Sequence, residues 1–122
     1  MVRIKTTVSL KKNHEFRRLY ARGKTRSDPY LAVYCRRNGR ADLNRLGITV
    51  GTKIGGAVQR NRLRRRLREA YRINESRLRL GYDLVIVGRV RASHAEFQRL
   101  ERSLLGLLDG LGMLNTDEKA AD

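Results

Sequence analysis

The residues best equipped for chemistry crowd into one run. Between Arg60 and Arg72, thirteen residues hold seven arginines and a single acid, Glu69. Leu63, Leu67, Ala70 and Tyr71 recur within that run at helical spacing. With Leu67 set at zero and about 100° per residue, Leu63, Ala70, Tyr71 and Asn74 fall within roughly 60° of it and form one stripe to bury. Asn61, Arg65, Arg68 and Arg72 then share an outward ridge, and Arg62 and Arg66 take the other flank. Arg60 is on the core side, in the first turn. A charge does not stay buried unpaired, so its head is expected to emerge past the sheet edge beside Lys53. Lys53, Arg60 and the helix N-terminus would then make one positive mouth for phosphate. A solvated charged helix face is the plainer account. Two features weigh against it: acids at i±4 are nearly absent, and the choice is almost wholly Arg, whose fork suits phosphate oxygens. The array is read as a grip on a polyanion.

A second set of residues could stack on bases. Asn13 is placed to cap a helix through Phe16, Leu19 and Tyr20, which Gly23 would end in a left-handed turn. Tyr30–Cys35 reads as a strand with Leu31, Val33 and Cys35 on one face and Tyr30, Ala32 and Tyr34 on the other. Arg45–Gly51 alternates as well, with Gly47, Thr49 and Gly51 opposite Leu46, Ile48 and Val50. Paired as an antiparallel hairpin, the two strands would offer a groove floored by small residues and walled by Phe16, Tyr20 and Tyr34. Single-stranded bases stack on such surfaces at about 1–3 kcal/mol each. On spacing alone, simple packing of the aromatic residues against the sheet is the stronger reading.

Motifs for autonomous catalysis are missing. Asp28, Asp42, Glu69 and Asp83 lie in different segments with no neighbouring acid. His14 and His94 sit near helix starts and read as surface residues. Cys35 has no sequence-near His or Cys, so no zinc pattern exists; it reads as a small core residue. Gly51–Gly56 is glycine-rich but lacks the spacing and Lys-Ser/Thr ending of a P-loop.

These residues need a scaffold, and 122 residues suffice for one domain. Twenty-eight Lys and Arg against 12 Asp and Glu give a formal charge of +16, so an anionic partner is expected, nucleic acid before membrane. No apolar window is long enough to span a bilayer, and the N-terminus is too polar for a signal peptide. The lone cysteine fits a reducing cytosol. Lys24–Pro29 reads as a loop and Arg36–Asn44 as a polar connection. The basic helix is expected over 57–76. Tyr82–Gly88 is a continuous apolar run, the mark of a central strand covered on both faces. Ser93 and Glu96 fit a capping box for a last helix carrying Phe97, Leu100, Leu104, Leu107, Leu108 and Leu111. The expectation is an α+β sandwich in the order α-β-β-α-β-α, with one mixed sheet of three to four strands and the last two helices on one face. The domain would span residues 1–112. A disordered tail is expected over 113–122, where Asn115 to Asp122 has too few apolar residues to pack.

Ala57-Val-Gln-Arg-Asn-Arg-Leu-Arg-Arg-Arg-Leu-Arg-Glu-Ala-Tyr71 resembles the arginine-rich signature of the protein subunit of bacterial ribonuclease P. The resemblance takes in Leu10–Phe16, Tyr20, Gly23, Tyr34, Arg45–Val50, Lys53–Gly55 and the strand 82–88, and covers roughly residues 7–112. It implies a ribonucleoprotein that removes the 5′ leader of precursor tRNA. The partner RNA supplies the active site and holds Mg²⁺, and the protein grips the single-stranded leader without an active site or cofactor of its own. Phe16, Tyr20, Tyr34, Thr49 and Lys53 match the family's cleft positions, and Arg60, Asn61, Arg62, Arg65 and Arg68 its signature helix. Ala32 is smaller than the branched aliphatic residue common at its place. The resemblance also implies a left-handed βαβ crossover, a cytoplasmic setting, ribonuclease P RNA and precursor tRNA as partners, no membrane, and a protein that is monomeric alone. The competing reading is a structural RNA-binding protein of the ribosome. It shares the charge and size but has no need of a groove for a mobile strand.

Overall fold

The computed structural model describes residues 6–115. Five strands form one mixed sheet: β1 (Thr7–Ser9), β2 (Lys24–Ser27), β3 (Leu31–Arg37), β4 (Asn44–Val50) and β5 (Tyr82–Gly88). Their spatial order is β1-β4-β5-β3-β2. Three helices accompany them: α1 (Asn13–Arg22), α2 (Ala57–Asn74) and α3 (Phe97–Gly110).

The order corrects the expected hairpin. β3 and β4 do not pair, because β5 lies between them, antiparallel to β3 and parallel to β4. The apolar run of β5 explains its place: four successive residues, Asp83–Ile86, are buried, and only a central strand is covered on both faces. The β4–α2–β5 segment is therefore a parallel crossover unit. Two short edge strands were not expected. β2 occupies the stretch read as a loop; all four of its residues are exposed, so no alternation betrays it. β1 pairs in parallel with β4.

The sheet separates two cores. On one face, Leu31, Val33, Cys35, Leu84 and Ile86 pack with Leu63, Leu67, Ala70 and Tyr71 of α2 and Leu100, Leu104 and Leu108 of α3. On the other face lies a smaller cluster of Leu10, Leu19 and Val85, flanked by Phe16, Tyr34 and Val87. The last two helices thus share one face as expected, and α1 has the other to itself. Cys35 is buried with the larger core, and burial pushes its thiol above the usual range.

Several local expectations shift. The first helix is capped by Lys12, one residue before Asn13; the Lys12 N–H donates to the Glu15 carboxylate at 3.2 Å. Gly23 ends α1 in an extended conformation, not a left-handed one. A glycine is needed there for close approach: a Cβ would sit 2.7 Å from the Leu19 carbonyl and 3.0 Å from that of Cys35. The α2 helix ends at Asn74 and tightens into a 3-10 turn over Glu75–Arg77. Ser93 does not cap α3. It belongs to the 3-10 turn Val90–His94, where its hydroxyl donates to the Val90 carbonyl at 2.8 Å, and Glu96 is the N-cap residue. Tyr30 precedes β3 and packs on the larger core, its ring under the Arg99 guanidinium at 4.8 Å, so it is no part of the groove. The packed body also runs past residue 112. Met113 and Leu114 are buried, Leu114 bridges Leu78, and the Asn115 N–H donates to the Arg77 carbonyl at 2.7 Å. The rest of the expected tail, 116–122, lies outside the described residues.

Candidate nucleic-acid interface

The strand registers arrange the α1-side face as parallel rows. Tyr34, Val85 and Gly47 form one row; Ala32, Val87 and Thr49 form the next toward the C-terminal ends of β4 and β5. Helix α1 crosses the first row. Its Phe16 lies against Gly47 so closely that a Cβ there would meet the ring at 2.6 Å. Tyr20, one turn on, stands edge-on to Tyr34, with centroids 4.9 Å apart and planes at 83°. Its hydroxyl lies 3.4 Å from that of Thr49. Phe16, Tyr20, Tyr34 and Thr49 therefore do converge. The floor differs from expectation because β5 intervenes: Val87, half-buried, sits between Ala32 and Thr49, so one aliphatic side chain joins the small residues. Tyr20 is 42% exposed, which leaves a ring edge open to a ligand.

Lys53 follows β4 in the 3-10 turn Thr52–Ile54 and is exposed. Gly55 then turns the chain into α2 with φ 144°, a conformation favouring glycine. Arg60 reaches back across this corner, its guanidinium donating to the Gly55 carbonyl at 3.0 Å. It emerges toward the turn that carries Lys53, as expected of a charge in the first turn, but it is half-buried and already partnered.

The buried residues of α2 are Leu63, Leu67, Ala70, Tyr71 and Asn74, the stripe drawn from the 100° spacing. Asn61, Arg62, Arg65 and Arg68 are accordingly exposed. The other arginines have local employment. Arg64 donates to Asn61 at 2.9 Å, Arg72 pairs with Glu69 at 2.6 Å, and Arg66 donates to the Ala95 carbonyl at 2.7 Å. Burial, with the nearby Arg62 charge, draws the Arg66 pKa down; its role is to tie α2 to the turn before α3. The ridge and the groove lie on opposite faces of the sheet, since α2 packs on the larger core and α1 on the smaller.

Sequence reading missed a polar network that holds α1, a wall of the groove, to the sheet from the flank away from the groove. Asp83 reads in the sequence as an isolated acid and Glu15 carries no expected role, yet both bind Arg45. Its Nε and Nη2 donate to Asp83 at 2.7 and 2.8 Å, and its Nη1 donates to Glu15. Bonding to Asp83, against the opposing effect of burial, raises the Arg45 pKa. Burial works to raise that of Glu15, but the Lys12 N–H and the Arg45 charge outweigh it and hold this carboxyl below its usual range. One signal was available: Arg45 shares a strand face with Gly47 and Thr49, where α1 must dock. The buried Asn44 was missed as well. It donates to the Arg79 carbonyl and accepts from the Tyr82 N–H, both at 2.9 Å, and so joins β4 to the start of β5. Tyr71 binds Thr7 at 2.7 Å, fastening β1 to α2; burial raises its pKa. Among the described residues, no group of three or more His, Cys, Asp or Glu is placed to hold a metal ion.

Comparison with known proteins places this arrangement. The family model described as Ribonuclease P matches residues 4–112. The ribonuclease P protein component of Clostridioides difficile (strain 630) is 40% identical over 103 residues, spanning 84% of this chain and 90% of the relative. That of Clostridium novyi (strain NT) is 38% identical over 113 residues, 92% of this chain and all of the relative. Among solved structures, the RNase P protein of Staphylococcus aureus superposes with a TM-score of 0.80 at 32% identity, covering 88% of this chain and 97% of that one. The RNase P protein from Thermotoga maritima gives 0.74 at 32% identity, covering 80% and 92%. A groove of rings over small residues, a basic helix behind it and this likeness along nearly the whole length agree: the chain belongs to the ribonuclease P protein family.

Proposed function

We propose that the groove of this chain holds the single-stranded 5′ leader of precursor tRNA while α2 lies on the catalytic RNA. As a ribonuclease P protein component, the chain is the accessory subunit of an RNA-based endonuclease that matures tRNA 5′ ends. The family match over residues 4–112 sets aside the ribosomal alternative.

The observation that carries the leader assignment is the trio Tyr20, Tyr34 and Thr49, with Phe16 laid over Gly47. Rings at right angles across a small-residue floor give bases both faces and edges to stack against, and such contacts tolerate any sequence. Lys53, at the strand ends, is placed for the leader backbone. On the opposite face, Arg62, Arg65 and Arg68, whose guanidiniums are unpaired among the described residues, form with Asn61 and the tethered Arg60 a separate contact to the large RNA. Two faces for two RNAs suit a subunit that must hold substrate and catalyst together. Mg²⁺ belongs to the RNA in this reading, since phosphate and carbonyl oxygens are the hard ligands the ion favours. The charge of +16 disfavours self-association, so the free protein is a monomer; a lone reduced cysteine suits the cytoplasm.

The test is reconstitution with bacterial ribonuclease P RNA. Tyr34→Ala should weaken binding of leader-bearing precursor by about 1–3 kcal/mol and leave mature tRNA nearly unaffected. Equal losses for both ligands would remove the leader from the groove.

A further inference from the structure

Helix α1 has two flanks on the sheet, and the groove uses one. On the other flank the next row of the same face consists of Arg36, Asp83 and Arg45, aligned by the strand registers. Together with Arg18 and Glu15 of α1 and Arg37, they line a cavity of about 150 Å³. Arg37, next to Arg36 in β3, alternates to the opposite face, where its guanidinium lies over the Tyr82 ring at 5.6 Å.

The carboxylates are spent. Both oxygens of Asp83 accept from Arg45. One oxygen of Glu15 accepts from Arg45 and the other from the Lys12 N–H. Among the described residues, Arg18 and Arg36 have no acidic partner. Two cations, Arg18 and Arg36, thus share one concavity with no carboxylate oxygen there left to bind them. The wall behind them is fixed. Arg45 is clamped from two sides, and Asn38 braces the β3–β4 loop, donating to the Leu43 carbonyl at 3.2 Å and accepting from the Arg40 N–H at 2.7 Å. Converging guanidiniums on a rigid backing are suited to the oxygens of a phosphate group.

We propose that Arg18 and Arg36 bind a backbone phosphate of an RNA segment other than the one in the groove. The inference rests on the RNA-binding reading above. The sheet itself argues for a separate segment. The Arg36–Asp83–Arg45 row lies four residues along each strand from the Ala32–Val87–Thr49 row, about 13 Å away, with α1 seated over the row between. A strand lying in the groove cannot continue into the pocket without climbing over that helix. The pocket therefore gives the α1 face a second hold on the large RNA, independent of the α2 ridge.

The experiment uses the full-length protein, bacterial ribonuclease P RNA and a short single-stranded oligoribonucleotide, with affinities measured across a salt series. Arg18→Gln with Arg36→Gln should flatten the salt dependence of binding to the large RNA by about 0.7–0.9 per lost contact and leave that of the oligonucleotide unchanged. Thermal melts of the variant check folding, which these outward side chains do not support. An unchanged slope with the large RNA, or equal flattening for both ligands, overturns the proposal. Inorganic phosphate, titrated while arginine Nε–H signals are followed by NMR, supplies the other arm. A response to it combined with an unchanged RNA slope would assign the pocket to a free ion and likewise overturn the proposal. Failure of the unaltered protein to bind either RNA would instead refute the reading on which this inference rests.

Discussion

One methyl group at Gly47 tests the groove from beneath. The Cβ of Gly47→Ala would lie 2.6 Å from two ring carbons of Phe16 and 3.6 Å from Leu10 Cβ. Carbon atoms prefer about 3.5–4.0 Å, so the ring must retreat by about 1 Å. Gly47 does not have a positive φ, hence the backbone accepts alanine and the strain falls on the ring alone. Overpacking of this kind costs about 1–3 kcal/mol. Phe16 is only half-buried and can move outward, which favours the low end. Reduced freedom of the unfolded chain returns about 0.4–1 kcal/mol. The expected net destabilisation is about 0.5–1.5 kcal/mol. A ring displaced by that distance forfeits about half of its stacking with a base, which weakens leader binding by roughly two- to tenfold. Urea denaturation measures the first quantity, and fluorescence anisotropy with leader-bearing and leaderless RNA the second. In a Phe16→Ala background the same substitution should leave leader affinity unchanged, because the obstructed ring is gone. If Gly47→Ala weakens leader binding equally with and without the ring, or not at all in the native background, the groove has been misread.

The Glu15–Arg45–Asp83 network makes stability depend on acidity. The folded-state pKa of Glu15 is depressed, so its contribution is present above the ordinary carboxyl range and disappears as pH falls through the lower folded value. Urea melts through the acid range should show part of this decline removed by Glu15→Gln; an identical decline in the variant would show that the carboxylate contributes nothing. The arginines of α2 divide by role: Arg66→Leu, which breaks the tie to Ala95, should cost about 1–3 kcal/mol of stability. Arg65→Ala with Arg68→Ala should leave stability within about 0.5 kcal/mol yet flatten the salt dependence of binding to the large RNA. The reverse pattern in melts and binding isotherms would exchange their assignments.

The helices were legible because burial follows period. The α2 stripe, Leu63 to Asn74, could be drawn from angles alone, since a helix so basic has only one face able to enter a core. The centrality of β5 was equally visible in its unbroken apolar run. Which strands flank it was not. Alternation in β3 and β4 tells which side chains share a face, not which strand lies alongside, and a short polar connection favoured the wrong neighbour. A strand covered on both faces needs a partner on each side, and that requirement places β5 between the other two. β2 escaped because an exposed edge carries no pattern. At the site, the rings and the hydroxyl of Thr49 followed from parity along the strands. Glu15, Arg45 and Asp83 did not, because they are 30 or more residues apart in the chain and meet only through the register of β4 with β5. Tyr30 was misassigned by parity alone: it stands one residue outside the strand, where alternation no longer governs direction.

The two cores are unequal, and α1 is fastened by the lesser one. Its only fully buried side chain is Leu19, whereas α2 and α3 each commit several. Segments with few buried apolar contacts open at lower free energy than the body they rest on. The near wall of the groove is thus the helix most easily lifted while the central strands stay intact. In the proposed function, a nucleic acid chain would then be laid in sideways at any point along its length, with no free end to thread, and its bases would complete the packing that holds the wall down.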